Sequence, residues 1–500
     1  MFSSGKAGSR IRLGRVPTSI MRTRARRSHS STPRPSSNYK YSAIAGCASI
    51  PVGIWWATRP HEPNHNGSDH DDDVPRIGSA PDKHLGVKPG PDKDQVTRML
   101  SRAAYSLQVT DITGVTRYDG TQLASNSPCE DRFVHGKLDS PWNDGPPWMA
   151  WAVFDGHAGW QTAELLKDQL LPHVRHSLGH NITPPPSNHD PLPPTDESIQ
   201  RAIKQGFVTL DDAIIKPALN IFHSQDPLQN KIKTLAPAYA GSCALLSMYD
   251  PRTSTLHVAC TGDSRAVLGQ KRPDGTWHAI PLSIDQTGYN EDEVARLSAE
   301  HPGEEETIVK DGRVLGLAVS RAFGDSRWKW PLDFQEQVKR GFYAPAPLTP
   351  RYEVQTPPYL TAEPVVTSTK IDPSTPSFLI MATDGMWDML SSQQGVELVG
   401  QWLESRTAEQ NVRKPEEEEP AYAPFNFSRF WEDTTWKFEE GRKTVQDDNA
   451  AVHLVRNALG GNHHELIAGR LAFSPPFSRN VRDDVTVQVV FFGDLGRGRK

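Results

Sequence analysis

The chain contains the stretch WMAWAVFDGHAG (148–159), in which a hydrophobic run leads into a short polar turn. The run from Trp148 to Phe154 is apolar throughout, which predicts a strand in the interior of a sheet. The turn begins with Asp155-Gly156-His157, and its glycine allows a ligand to approach the backbone closely. A single Asp-Gly pair after a strand is ordinary turn chemistry. A functional site is indicated only if other strands end in the same way.

Acidic residues do stand at the ends of other predicted strands. They are Asp384 after 378–383, Asp263 after 256–260, and Asp483 and Asp484 before 485–492. Groups of carboxylates without cysteine favour hard cations such as Mg²⁺ or Mn²⁺. Together with the pair Glu130-Asp131 farther upstream, these acids predict a site for divalent metal ions.

The chain from about residue 96 to residue 495 is predicted to form one domain of mixed helices and strands, because short apolar runs alternate with longer amphipathic stretches. The strand candidates are 148–154, 243–249, 255–260, 377–383 and 485–492. The helix candidates are Gly159–Leu171, which Pro172 is expected to end or kink, and Asn290–Ala299. Insertions are expected near 181–196, 326–350 and 403–447.

The composition excludes several classes of protein and of partner. The 500 residues include 42 prolines and 36% hydrophobic residues, which excludes fibrous, collagen-like and multi-spanning membrane proteins. Residues 60–500 hold 44 basic and 60 acidic side chains, a net charge of about −16, so nucleic acid is not expected as a partner. The four cysteines contain no CxxC pair, which argues against a disulfide framework and against cysteine-ligated zinc.

The N-terminal region is predicted to lie outside this domain. Residues 1–40 are basic, rich in serine and free of acids, as in a mitochondrial transit peptide; a disordered basic tail is the alternative. The uncharged segment 41–58 is interpreted as a single membrane anchor, with a cleaved or interfacial segment as the alternative. Residues 59–95, rich in Pro, Gly, Asp and His, are expected to form a disordered linker.

Seven short motifs occur in a specific order along the chain. They are CEDRF (129–133), FDGHAG (154–159), GSC (241–243), TGDSRAVL (261–268), LGLAVSRAFGD (315–325), ATDGMWDML (382–390) and RDDVTVQVV (482–490). The series resembles the metal-dependent protein phosphatases of the 2C type over roughly residues 96–495. Within that family, LASNSPCEDR (123–132) and DNAAVHLVRNALGG (448–461) resemble the mitochondrial branch that includes pyruvate dehydrogenase phosphatases and their fungal relatives.

The resemblance implies an α+β fold, an αββα sandwich of two antiparallel sheets flanked by helices with a binuclear metal site at one end. The expected cofactors are two Mg²⁺ or Mn²⁺ ions per site. By their positions in the motifs, Asp155 bridges the two ions and Gly156 offers its carbonyl oxygen, while Asp384 and Asp483 each bind one ion. Asp131 is the further acid expected to touch a metal.

The resemblance assigns supporting roles to four more acids. Glu130 and Asp484 are expected to lie behind the ligands, where they orient them or their waters. Asp263 and Asp388 match positions that form a third, weaker metal site in relatives.

The implied reaction is hydrolysis of phosphoserine or phosphothreonine by water that the two metal ions activate. His157 is expected to protonate the leaving alkoxide, with orientation of Asp155 as the alternative role. Asn126 stands where most relatives have an arginine that binds phosphate, and it is therefore interpreted as a weak phosphate-binding residue, with a turn cap as the alternative. Arg117 would supply the missing charge if its loop folded back.

Two other functions are alternatives to a protein phosphatase: a catalytically inactive scaffold of the same fold, and a hydrolase of small phosphoesters. A serine nucleophile at Ser320 is disfavoured, because no GxSxG elbow surrounds it. The expected partner is a phosphoprotein, with a subunit of the pyruvate dehydrogenase complex as the leading candidate. The expected location is the mitochondrion, in the matrix or on the inner membrane facing the intermembrane space if segment 41–58 anchors the chain.

Overall fold

The computed structural model describes residues 90–142, 145–181, 194–408, 437–493 and 495. The predicted transit peptide, the anchor at 41–58 and most of the linker lie outside these residues, as do most of the insertions near 181–196 and 403–447. Within the described ranges, no helix is both long enough and apolar enough to cross a membrane. The first helix of the described residues begins at Lys93, inside the segment that the sequence assigns to the linker.

Strands of two to nine residues alternate with helices along the described chain. The strands are β1 (Tyr105–Gln108), β2 (Val115–Leu123), β3 (Arg132–Leu138), β4 (Trp148–Phe154), β5 (Gly156–His157), β6 (Gly241–Ser242), β7 (Ala244–Asp250), β8 (Thr255–Thr261), β9 (Arg265–Lys271), β10 (Trp277–Pro281), β11 (Val309–Lys310), β12 (Arg313–Val314), β13 (Phe323–Gly324), β14 (Val365–Lys370), β15 (Ser377–Ala382) and β16 (Val485–Phe492).

The helices fall before, between and after these strands. They are α1 (Lys93–Leu100), α2 (Gln161–Asn181), α3 (Asp196–Ile215), α4 (Ala218–His223), α5 (Leu228–Tyr239), α6 (Glu291–Glu300), α7 (Glu305–Ile308), α8 (Leu332–Phe342), α9 (Asp384–Trp387), α10 (Ser392–Ala408), α11 (Ala450–Leu459) and α12 (His464–Ala472). Short 3₁₀ turns occupy Ser326–Trp328, Glu440–Arg442 and Phe477–Asn480.

Two large antiparallel sheets form the centre of the molecule. One has six strands in the order β1-β2-β16-β15-β9-β10, and the other has five in the order β14-β8-β7-β4-β3. At the middle of the first sheet Leu379 of β15 pairs with Val490 of β16, and in the second Ala152 of β4 pairs with Leu246 of β7. A small sheet, β13-β6-β5, extends from the end of β4 and holds part of the functional site.

Hydrophobic cores separate four layers. Between the sheets lie Met149, Trp151, Leu245, Leu379, Met381 and Val490, among others. The outer face of the six-stranded sheet packs on α10, α11 and α12, and the outer face of the five-stranded sheet packs on α2 and α3. Strands covered on both faces are mainly apolar, which explains the continuous hydrophobic run of β4. The predicted αββα sandwich is therefore confirmed.

Most of the sequence predictions for individual elements hold. Two strand candidates, 148–154 and 485–492, have the observed bounds, and the other three differ by one residue at their ends. The helix α6 begins after Asn290, which caps it. Pro172, however, does not end α2, which continues to Asn181. The residues beyond the proline include the buried Val174 and Leu178, and their burial offsets the missing backbone hydrogen bond.

We predict that Asp447→Ala lowers the free energy of unfolding by about 3–5 kcal/mol, because it leaves a buried guanidinium without its counter-charge. Both side chains are buried, and Arg456 donates to the two carboxylate oxygens of Asp447 at 2.7 and 2.9 Å. Urea denaturation measures the change. The exposed pair Arg340–Glu336 is the control, and Arg340→Ala should change the stability by no more than about 1 kcal/mol. Equal effects of the two substitutions would contradict the prediction.

Candidate metal centre

Three aspartates from both sheets meet at one end of the sandwich. Asp155 directly follows β4, Asp263 lies just beyond β8, and Asp384 begins α9 after β15. One carboxylate oxygen from each lies within 4.8 Å of the other two. The sequence predicts all three as metal ligands, and the structure brings them together from positions more than a hundred residues apart.

Glycines allow the surrounding backbone to close around this cluster. A Cβ atom at Gly156 would lie 2.3 Å from the carbonyl oxygen of Glu130, and one at Gly385 would lie 2.1 Å from the carbonyl oxygen of Asp484. Because real side chains cannot tolerate such contacts, the segments that carry the Glu130-Asp131 and Asp483-Asp484 pairs reach the cluster only past a glycine.

The charges of the cluster fit a divalent cation. Asp155 Oδ2 is buried and has no hydrogen-bond partner. Burial raises the pKa of Asp155 well above its ordinary value, and the neighbouring carboxylates of Asp384, Asp131 and Asp263 raise it further. Burial and the charge of Asp384 likewise raise the pKa of Asp263 to about 7. A hard cation would supply the missing counter-charge and would be coordinated by Asp155 Oδ2.

Asp131 is fixed behind the cluster by two threonines. Its Oδ2 accepts a hydrogen bond from Thr383 Oγ1 at 3.0 Å and from Thr486 Oγ1 at 2.7 Å. The two threonines belong to β16 and to the turn after β15, so Asp131 joins the loop before β3 to the six-stranded sheet. Burial, and then the charge of Asp484, raise the pKa of Asp131 well above its ordinary value.

The neighbouring residues Asp483 and Asp484 make different contacts. Asp483 forms an ion pair with Arg479 and is not in the group of three carboxylates that the described side chains form. Asp484 instead organises the loop before β3: its carboxylate accepts hydrogen bonds from the backbone N–H groups of Ser125, Asn126 and Glu130.

Both N–H groups of the Asn126 amide are directed at carboxylates. Nδ2 donates to Asp484 at 3.0 Å and to Glu130 at 3.2 Å, so the side chain holds these two acids together. A phosphate-binding role for Asn126 stays a prediction. Arg117 does not approach the metal centre; it pairs with Asp119 at 2.7 Å and lies over the ring of Trp402.

Asp388 lies one helical turn beyond Asp384, and its backbone N–H donates to the Asp384 carbonyl oxygen at 2.8 Å. Burial raises the pKa of Asp388 to about 6, helped by the charges of Asp384 and Asp285. The structure thus places Asp388 beside the cluster, where the resemblance implies a weaker metal site. That weaker site, with Asp263 and Asp388 as its ligands, also stays a prediction.

His157 has an acidic partner that the sequence analysis missed. His157 Nε2 lies 2.6 Å from Asp325 Oδ2, and the contact joins β5 to the end of β13. Burial alone would lower the pKa of His157, but the charge and hydrogen bond of Asp325 raise it above its ordinary value. Asp325 follows Gly324 at the end of a strand, in the same pattern that identified the other acids, so a signal for it was present in the sequence.

Ser320 is a structural residue. It is completely buried, and its hydroxyl donates to Glu293 at 2.7 Å. Glu293 also accepts from Arg321 at 2.7 Å, so the two residues hold one carboxylate within the fold. This geometry excludes the serine-nucleophile alternative.

Comparison with known proteins agrees with the geometry. The family model for protein phosphatase 2C matches residues 124–417. A protein phosphatase 2C homologue of Schizosaccharomyces pombe is 40% identical over 412 residues, which cover 81% of this chain and 86% of the relative.

Two mitochondrial enzymes are also similar. Pyruvate dehydrogenase (acetyl-transferring) phosphatase 1 of Saccharomyces cerevisiae is 36% identical over 77% of this chain and 70% of its own length. Human pyruvate dehydrogenase (acetyl-transferring) phosphatase 2 is 31% identical over 83% of this chain and 85% of its own length. The chain therefore belongs to the protein phosphatase 2C family of phosphoric monoester hydrolases.

Proposed function

We propose that this protein is a mitochondrial serine/threonine phosphatase that uses two Mg²⁺ or Mn²⁺ ions to hydrolyse phosphoserine on a dehydrogenase subunit. The observation that carries the metal requirement is the cluster of Asp155, Asp263 and Asp384, in which Asp155 Oδ2 is buried without a partner. An inactive scaffold would have no need for three crowded carboxylates, whose mutual repulsion opposes folding.

The proposed ligands come from the cluster and its neighbours. Asp155, Asp384 and Asp483 would hold the two principal ions, with the carbonyl oxygen of Gly156 and the carboxylate of Asp131. When bound, such ions activate water and neutralise the charge of the phosphoryl oxygens. Glu130 and Asp484 are held next to each other by their shared contacts with Asn126.

His157 is the proposed proton donor to the leaving serine alkoxide. A general acid must hold its proton at the working pH. Burial lowers the pKa of His157, but the Asp325 carboxylate raises it above its ordinary value, which favours the protonated ring. The contact to Asp325 at 2.6 Å also restricts the orientation of the ring. Asp325 is therefore a positioning residue that acts through His157.

The substrate is proposed from two independent features. The relatives named pyruvate dehydrogenase phosphatase cover most of this chain, and residues 1–40 have the composition of a transit peptide. A subunit of the pyruvate dehydrogenase complex is the substrate that both features favour, provided that the domain faces the matrix. If segment 41–58 anchors the chain with the domain in the intermembrane space, the substrate is a different phosphoprotein.

A small phosphoester would be hydrolysed at a similar rate to a phosphoprotein only if the surface around the site contributes nothing to binding.

We predict that phosphopeptide hydrolysis requires free Mg²⁺ or Mn²⁺ and is abolished by Asp155→Asn or Asp384→Asn. Thermal and urea unfolding in EDTA should show these variants at least as stable as the wild type, because each substitution removes one crowded charge. Mn²⁺ at one hundred times its dissociation constant should stabilise the wild type by about 2.7 kcal/mol and the variants by less.

The surface variant Glu336→Gln is the matched control and should behave as the wild type in both assays. Full activity of Asp155→Asn, or of the wild type in EDTA, would contradict the proposed role of the metal ions.

We predict that Asp325→Asn moves the basic limb of the kcat–pH profile to lower pH. The substitution removes the negative charge that favours protonated His157, so the acid loses its proton earlier as the pH rises. Asparagine tolerates the left-handed backbone at this position, where φ is 49°, so the turn should keep its shape. His157→Ala should lower kcat by about 10²-fold or more. If His157 only orients Asp155, the basic limb will not move in Asp325→Asn.

We predict that a fluorescent fusion lacking residues 1–40 fails to enter mitochondria, because it loses ten positive charges and no acid. Deletion of 41–58 alone should change membrane association and leave import intact. Microscopy measures import, and carbonate extraction measures membrane association. Release by carbonate of the processed protein that retains residues 41–58 would contradict the anchor interpretation.

A further inference from the structure

The 3₁₀ turn Phe477–Asn480 lies at the edge of the metal centre. Its Ser478 is completely buried, and the hydroxyl donates to the carbonyl oxygen of Ser125. In return, Ser125 Oγ donates to the carbonyl oxygen of Arg482 at 2.8 Å. These contacts fix the turn against the loop that carries Asn126 and Glu130.

The Arg479 side chain extends from this turn toward the acids. It is 43% exposed and forms an ion pair with Asp483, one of the proposed metal ligands. Burial and the charge of Asp484 raise the pKa of Glu130, and the positive charge of Arg479 opposes that rise. It acts in the same direction on the pKa of Asp384, which burial raises. The guanidinium thus faces the centre that a phosphate group would enter.

Three other arginines around the centre are held by groups that are not proposed metal ligands. Arg132 pairs with Glu164, Arg265 donates to both carboxylate oxygens of Asp285, and Arg482 donates to backbone carbonyl oxygens. Arg479 differs, because its partner Asp483 is the carboxylate that we expect to bind a divalent ion. Asp483 has little negative charge left for Arg479 once it holds such an ion.

We propose that Arg479 binds the phosphoryl group: its guanidinium leaves Asp483 when the metal centre is loaded and then donates to the oxygens of a phosphate monoester or of inorganic phosphate. This proposal rests on the proposed function and deepens it. The planar guanidinium can donate two parallel N–H hydrogen bonds to a phosphate, and it carries a positive charge that a neutral amide lacks. It also explains how a site with neutral Asn126, whose amide already serves Glu130 and Asp484, attracts a dianion.

The proposal makes two predictions of opposite sign for Arg479→Ala. Binding of inorganic phosphate to the Mn²⁺-loaded protein should weaken by about 10-fold or more, since charge-assisted hydrogen bonds are lost. Binding of Mn²⁺ to the metal-free protein should become tighter, because Asp483 loses its competing cation and one positive charge leaves the centre. Titration calorimetry measures both affinities without reference to turnover.

Two further variants make the result specific. Arg479→Lys keeps the charge without the fork of donors and should bind phosphate with intermediate affinity. Arg340→Ala removes an arginine that is exposed on α8 and paired with Glu336, and both affinities should stay unchanged.

Several results would overturn the proposal. They are phosphate affinity in Arg479→Ala equal to that of the wild type, no measurable phosphate binding by the loaded wild type, or weakening of both phosphate and Mn²⁺ binding, which would show that Arg479 only supports the turn. The proposed function is judged separately, by whether the wild type dephosphorylates a phosphoserine peptide. If the wild type does not dephosphorylate the peptide but Arg479→Ala still weakens phosphate binding, Arg479 is an anion-binding residue of an enzyme with another function.

Discussion

Repulsion between crowded carboxylates is the constraint on which the rest of this structure depends. Asp155, Asp263 and Asp384 offer oxygens within 4.8 Å of one another, and each added charge raises the pKa of its neighbours after burial has already done so. Such a cluster cannot hold itself together. It persists because hydrophobic cores pack on both faces of each sheet and fix the positions of the strand ends that carry the carboxylates.

The same constraint explains the arrangement of hydrogen bonds around the cluster. Thr383 and Thr486 hold Asp131, while the loop from Ser125 to Glu130 wraps its backbone N–H groups around Asp484. Donors directed at a carboxylate favour its charged form and oppose the effect of its neighbours. The acids that surround the cluster are therefore held in place by hydrogen bonds from side-chain hydroxyls and from the backbone.

Two basic groups lie next to acids of the proposed centre. His157 pairs with Asp325, and Arg479 pairs with Asp483, beside the cluster. In the proposed mechanism both serve the phosphate ester, His157 at the leaving oxygen and Arg479 at the phosphoryl oxygens. The centre then combines fixed negative charge for the metal ions with adjustable positive charge for the substrate.

The sequence by itself determined five strands of the two large sheets, the acids at their ends and the family, because hydrophobic runs and the turns after them are local patterns. The apolar run at 148–154 and the mainly apolar segment at 485–492 required no tertiary information. Pro172 does not end α2, because the packing of the helix on its sheet outweighs a local rule. Only the tertiary structure decided the partners: Asp325 for His157, 168 residues away, and Thr383 for Asp131, 252 residues away. A hydrogen bond or an ion pair depends on where two distant backbones come to lie, and no local pattern of residues encodes that distance.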